Sequence, residues 1–206
     1  YLDILKDRLY TSHAFSRERK SAQTVLFYIL NHLVCCIAPV LSFTAEEVFQ
    51  LMPKTPQTAQ SSSVHLLRWP DCPEAWRNEP LEKKFAFLET LRPHVLKALE
   101  DSRRDEVIGS SLEAGIVFKT ASPRDAENLK VLEAILPQVF IVSQVEVHQV
   151  DQVSQGVHEE FPDTAIFIQK AQGNKCVRCW NYSPQVGQNR EHPELCERCL
   201  PVVEAM

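Results

Sequence analysis

Through the first hundred positions, apolar residues recur at intervals of three and four, the spacing of one helix face turned toward a core. "YLDILKDRLY" places Leu2, Leu5 and Leu9 on one stripe and Asp3, Lys6, Asp7 and Arg8 largely off it. A polar connection, "TSHAFSRERK", follows. Ser16 is then placed to cap a long helix reaching about Ala38, with Ala22, Val25, Leu26, Ile29, Leu33 and Ile37 as its core face and Pro39 as its stop. Thr44 with Glu47 three residues later predicts a capping box opening a short helix that Pro53 closes. "KTPQTAQSSS" reads as a polar surface loop, and "SVHLLRWP" as a short extended piece. A further helix is expected from Glu79 to Glu106, kinked or split at Pro93.

From Ser110 the period changes to two. "LEAGIVFKT", "QVFIVSQVEVHQV" and "TAIFIQKA" alternate and are rich in β-branched residues. Between the first two, "SPRDAENLKVLEAIL" is helical, with Ser122 as cap and Pro123 at the first helical position. The pattern therefore predicts a helical part over residues 1–107, a small α+β subdomain of strand–helix–strand–strand order over 108–172, and a separate tail over 173–206. The fold class is mostly α.

Composition narrows the function classes. The chain has 206 residues, 22 Lys and Arg against 27 Asp and Glu, and a net charge of −5. Whole-chain basicity thus gives no case for nucleic-acid binding, and any such binding must be local. Residues 1–30 carry five basic and three acidic side chains, whereas 81–172 carry ten and fifteen. Five glycines among thirteen prolines speak against a glycine-rich phosphate loop. The most apolar run, "VLFYILNHLVCCIAPVLSF", is interrupted by Asn31, His32 and Pro39 and reads as a buried helix, not a membrane span. Tyr1 opens directly on a helical pattern, which suggests a piece of something longer, without a signal peptide.

The tail holds the strongest chemical signal. Cys176-x-x-Cys179 and Cys196-x-x-Cys199 are separated by sixteen residues. Two residues between thiols let one tight turn aim both sulfurs at a point, and zinc takes four sulfurs in a tetrahedron. A redox site needs one such pair on an α/β scaffold, and a disulfide framework expects secretion. The doubled motif predicts one structural Zn²⁺ on Cys176, Cys179, Cys196 and Cys199, with no open position for catalysis. Lys175, Arg178 and Arg198 are placed to offset the −2 charge of four thiolates and one zinc. Trp180 and Tyr182 form either a mini-core over the metal or, if exposed, a ring for stacking on a base. Cys35 and Cys36 read as core thiols. Glu46-Glu47 reads as a helix first turn, and Glu159-Glu160 as a solvated loop.

The tail "KCVRCWNY…VG…HPELCERC" resembles a zinc finger shared by bacterial-type isoleucyl-tRNA synthetases and formamidopyrimidine-DNA glycosylases. "YLDILKDRLY", "RKSAQTVLFYIL", "APVLSFTAEEVF" and "LRPHVLKALEDSRRDEVIGSSLEA" resemble the anticodon-binding region of the synthetase, in order and over nearly the whole chain. The resemblance implies a partial anticodon-binding helical bundle, an α+β junction and a closing zinc ribbon or knuckle. It implies tRNA(Ile) as partner, with the catalytic and editing domains of the same chain, and a cytoplasmic or organellar monomer. ATP and Mg²⁺ belong to a catalytic domain whose signatures do not occur in this sequence, and the first bundle helices also do not occur. Pro93 departs from the family, in which that helix usually reads as continuous. The candidate RNA contacts are Lys6, Arg8, Arg17, Arg19 and Lys20 on phosphates, and Arg178 and Trp180 near bases. The alternatives are a DNA-repair glycosylase fragment, which needs a DNA-clamping helical motif where strands precede the finger, and a protein-interaction module.

Overall fold

The first helix, α1 (Leu2–Thr11), buries Leu5 but leaves Leu2 exposed, so its apolar stripe is only partly used. A computed structural model describes residues 1–56 and 58–205. The chain is half helical with a small mixed sheet, and no described helix is long and apolar enough to cross a membrane. It divides into two compact units: Tyr1–His13 with the chain from Glu79 onward, and Ala14–Asn78.

In the unit Ala14–Asn78, Ser16 caps α2 (Arg17–Ile37) by accepting from the Arg19 N–H at 3.2 Å. The helix ends one residue before Ala38, as Pro39 requires. Its buried side follows the expected one at Ala22 and departs from it further along. Val25, Ile29 and Leu33 are 41%, 46% and 50% exposed, while Val34 and Ala38 are buried against Ala45 and Phe49 of α3 (Ser42–Leu51), with Met52 and Val64. The buried stripe lies about 100° round α2 from Leu33, one residue's rotation. A two-helix hairpin buries one stripe, and the tight turn after Ile37 selects it: the Leu41 N–H bonds the Ile37 carbonyl at 2.7 Å, and the Ala45 N–H bonds Leu41 at 2.8 Å. That turn also starts α3 three residues early. Thr44 is inside the helix, Leu41 is the N-cap without a side-chain bond, and the capping box does not form. Cys35 is half-buried and Cys36 exposed, so Cys36 is not a core thiol.

The expected extended piece begins instead as a 3₁₀ turn, Val64–Leu66, capped by the Ser63 hydroxyl. Glu46 organises this loop. Its carboxylate accepts from Gln50 Nε2 (2.6 Å), Ser63 Oγ (2.8 Å) and the Val64 N–H (2.9 Å). These bonds hold the Glu46 carboxyl below the usual range, the Gln50 bond first. Gln57, part of the expected loop, lies outside the described residues.

In the other unit, α4 (Glu79–Arg104) is a single helix; Pro93 does not split it. Leu88, Leu91, Val95 and Leu99 form its buried stripe. Pro93 and Glu89, whose carbonyl loses its donor there, both face solvent, where water substitutes for the missing N–H. The sheet that α4 covers has the order β2-β1-β4-β3, from β1 (Ala114–Thr120), β2 (Gln144–Gln149), β3 (Val157–His158) and β4 (Phe161–Lys170). Strand β1 pairs parallel with β2 (Phe118↔Val147) and antiparallel with β4 (Phe118↔Ile166).

The parallel pair needs a crossover, supplied by α5 (Pro123–Leu132) and α6 (Leu136–Phe140). Ser122 caps α5 through the Asp125 N–H, and Asp125 accepts from the buried Thr164 hydroxyl, itself 2.8 Å from Thr120. Helix α6 replaces the start of the expected strand, because Leu136, Val139 and Phe140 bury at helical spacing before Ile141 turns left-handed (φ 59°). The core runs from Leu91 and Val95 through Ile116 and Phe118 to Leu129 and Phe140.

Candidate metal centre and the surface beside it

The tail opens with a short ribbon, β5 (Asn174–Lys175) against β6 (Tyr182–Ser183). Gly173 precedes it at φ +88°, where an added Cβ would stand 2.2 Å from the Ser183 carbonyl, so only glycine fits. Within the ribbon the chain makes a tight knuckle. The Trp180 N–H bonds the Cys176 carbonyl at 2.9 Å, and the Cys176 N–H returns to Asn181 at 2.9 Å. Trp180 takes φ +65°, a left-handed conformation uncommon for a large side chain. A second knuckle bonds Cys199 and Leu200 back to the Cys196 carbonyl, both at 3.0 Å, and leads into α7 (Leu200–Glu204).

The two knuckles bring four free, buried thiols together, with all sulfurs within 4.8 Å of one another. A zinc–sulfur tetrahedron with 2.3 Å bonds has edges of about 3.8 Å. The Cys179–Cys196 sulfur separation is 3.6 Å, so the donor set fits a single zinc ion. Hydrogen bonds from Cys196 and then Cys199 pull the Cys179 thiol far down, while Cys196, sharing its proton with Cys179, is pushed up to about 11. Little else forms this core: Val186 is buried in it, with Leu195 packed against it.

Two arginines tie the cluster to α1. Arg178 Nη1 donates to the Thr11 carbonyl at 2.5 Å and lies 3.5 Å from Cys199 Sγ. Arg198 clasps both oxygens of Asp7, at 2.5 and 2.8 Å. Burial opposes the Arg198 charge, but Asp7 and then Cys179 outweigh it and raise its pKa. Lys175 lies instead 5.6 Å from the Trp180 ring.

The Trp180 ring is 61% exposed, so it does not form a mini-core over the sulfurs. It borders a cavity of about 700 Å³ walled by α1, by α6 and its following turn, and by the knuckles. Lys6, Tyr10, Gln138, Arg178, Asn181 and Tyr182 contribute to the lining.

A model of the anticodon-binding domain of tRNA ligase matches residues 1–118. The chain belongs to the anticodon-binding domain family of tRNA ligases. A second model, described as a zinc finger found in FPG and IleRS, matches residues 173–202. The isoleucine–tRNA ligase of Syntrophotalea carbinolica is 44% identical over 98% of this chain, that of Natranaerobius thermophilus 42% over 99%, and that of Fervidobacterium nodosum 40% over 98%. The chain spans only 21–22% of these relatives' lengths. It corresponds to their anticodon-binding plus zinc-finger region. The zinc-finger likeness alone fits a glycosylase as well as a synthetase; the anticodon-binding match and the relatives decide between them.

The candidate contacts of this anticodon-binding chain fall in both units. Arg17, Arg19 and Lys20 lie in the first turn of α2, with Lys20 5.2 Å from the Phe15 ring. Lys6 is paired with Asp3 at 2.6 Å, and Arg8 Nε donates to Gln138 at 2.7 Å. Sequence reasoning missed Asp7, Thr11 and Gln138. Each meets its arginine across more than a hundred residues of chain, and no local pattern marks such a pair. It also missed that Glu160 pairs with His94 of α4.

Proposed function

We propose that the chain docks the anticodon stem-loop of tRNA(Ile) for ATP-dependent aminoacylation by the catalytic domain of a longer isoleucine–tRNA ligase. Residues 1–107 carry the helical docking surface, 108–172 the junction and 173–206 a module closed by one structural zinc on Cys176, Cys179, Cys196 and Cys199. Such a site activates no water, because protein sulfurs fill every position. Lys6, Arg8, Arg17, Arg19 and Lys20 neutralise phosphates, which is an electrostatic and salt-sensitive contribution. Arg178 and Trp180 sit nearest the bases. The setting is the bacterial cytoplasm, and the chain acts as part of a monomer.

The observation that carries this reading is the exposed Trp180 ring, held on a left-handed knuckle next to the thiol cluster in a chain of the anticodon-binding family. Unstacked loop bases are recognised by stacking on such rings, at about 1–3 kcal/mol per base. Trp180→Ala is therefore expected to weaken tRNA(Ile) binding about 5- to 150-fold with zinc content unchanged. Titration of the zinc-loaded chain with tRNA(Ile) checks it, and unaltered affinity excludes the stacking role.

A further inference from the structure

We infer that the metal cluster and α1 are a single coupled unit, with Arg178 as the positioning residue that links them. The inference rests on the zinc reading above and goes beyond it. Arg178 Nη1 serves two acceptors at once: the Thr11 carbonyl, which closes α1, and Cys199 Sγ. Thr11 is in the last turn of α1, whose final carbonyls have no intrahelical donor and carry the negative end of the helix dipole. A guanidinium there satisfies an orphan carbonyl and faces a sulfur that becomes a thiolate when metal binds. The guanidinium is charged in either state, and four thiolates on one zinc, with a charge of −2, would give it an anionic partner beside the helix end.

A second guanidinium braces the same pair of elements from the other knuckle. Arg198 adjoins Cys199 in sequence and grips Asp7 in a two-pronged contact, one turn before Thr11. Arg8 adds a third tie, from α1 to Gln138 of α6. Of these, Arg178 reaches both with one nitrogen: Nη1 lies within hydrogen-bond distance of the α1 carbonyl and of the Cys199 sulfur. Because coupling is reciprocal, metal binding orders the end of α1, and the docked helix in turn slows metal loss. The consequence for RNA is placement. Lys6 and Arg8 ride on α1, Trp180 follows Cys179, and Arg178 helps to fix the shape of the cavity that Lys6 and Trp180 border.

The test uses the zinc-loaded 206-residue chain and reads two quantities: amide exchange over residues 8–13, and the rate of zinc transfer to a chromophoric chelator. Arg178→Ala is expected to retain one zinc, to speed exchange at the end of α1 about tenfold, and to speed zinc transfer about fivefold or more. Arg178→Lys, which supplies one point charge without the planar fork, should fall between the two. Asp7→Ala leaves every sulfur contact in place, yet should also speed zinc transfer, because it frees α1. Amides of β1 report whether each variant is otherwise folded. Faster exchange in α1 with wild-type zinc transfer in both Arg178→Ala and Asp7→Ala overturns the coupling, as does no change in either quantity. A wild-type chain that takes up no zinc overturns the metal reading itself, a separate outcome.

Discussion

The sheet core and the cysteine module share one unit but are held together by different physics. Around Phe118 the sheet is closed by large apolar side chains from α4, α5, α6 and β4, all withdrawn from water. The cysteine module has four sulfurs, one valine and a partly buried leucine in the same role. Apolar burial contributes about 25 cal/mol per Å² wherever it occurs. A segment of thirty residues without large buried side chains gains too little from it to offset its chain entropy. The first region is therefore stable by composition, whereas the second needs another source of stability, which a metal held by its four clustered thiols would supply.

Removing the metal gives the largest expected effect. Structural zinc sites of this kind contribute about 10–16 kcal/mol of apparent binding energy to folding. Chelation, or Cys196→Ser, should abolish amide protection over residues 174–183 and leave β1 and β4 protected. Exchange measured with and without chelator checks this; a tail that stays protected without metal removes the contrast. The converse cut is Phe118→Ala, which empties a site between β1 and α6 where the Phe118 and Phe140 rings lie 5.8 Å apart. It should cost about 3–5 kcal/mol in denaturant unfolding. Zinc stoichiometry should remain at one per folded chain. Smaller again is Gly173→Ala, which puts a Cβ into the Ser183 carbonyl at a φ that L-residues rarely take. Strain of that kind is worth about 1–3 kcal/mol. It should appear as weaker zinc binding in a competition titration, while the sheet unfolds at an unchanged denaturant midpoint.

The same contrast explains what was legible in the sequence. Metal ligation depends on spacing along the chain, so Cys176, Cys179, Cys196 and Cys199 could be read directly and do converge. Caps at Ser16 and Ser122 are equally local, and both form. Burial is decided by partners, and there the reading fell short. The apolar positions of α2 permit several stripes, and only the turn into α3 selects Val34 and Ala38. Gln138, Val139 and Phe140 have strand-like character, yet helical burial in the crossover wins. The ties from Arg178 and Arg198 to α1 join residues at opposite ends of the chain, and no periodicity encodes them.

The unit of α2 and α3 tests a third way of holding structure, and its effect is the smallest. Its apolar core is short, and a single carboxylate, Glu46, fastens the Ser63–Val64 turn that places Val64 in that core. The hydrogen bonds hold the folded pKa of Glu46 below the unfolded value of about 4.3. A depressed carboxylate contributes its stability above the unfolded pKa and loses it as pH falls through the folded one. Amides of residues 61–66 should thus lose protection progressively below about pH 5. Glu46→Gln should already show the weakened turn at pH 7, with little further change on acidification, because the amide cannot titrate. Acid also loosens the cysteine module, by returning protons to the sulfurs, and leaves the Phe118 region untouched. A pH series on wild type and Glu46→Gln separates the two acid-sensitive sites: only the loop's response disappears in the variant. A loop response that persists in Glu46→Gln would assign the acid sensitivity to another group and leave the turn held by its apolar contacts alone.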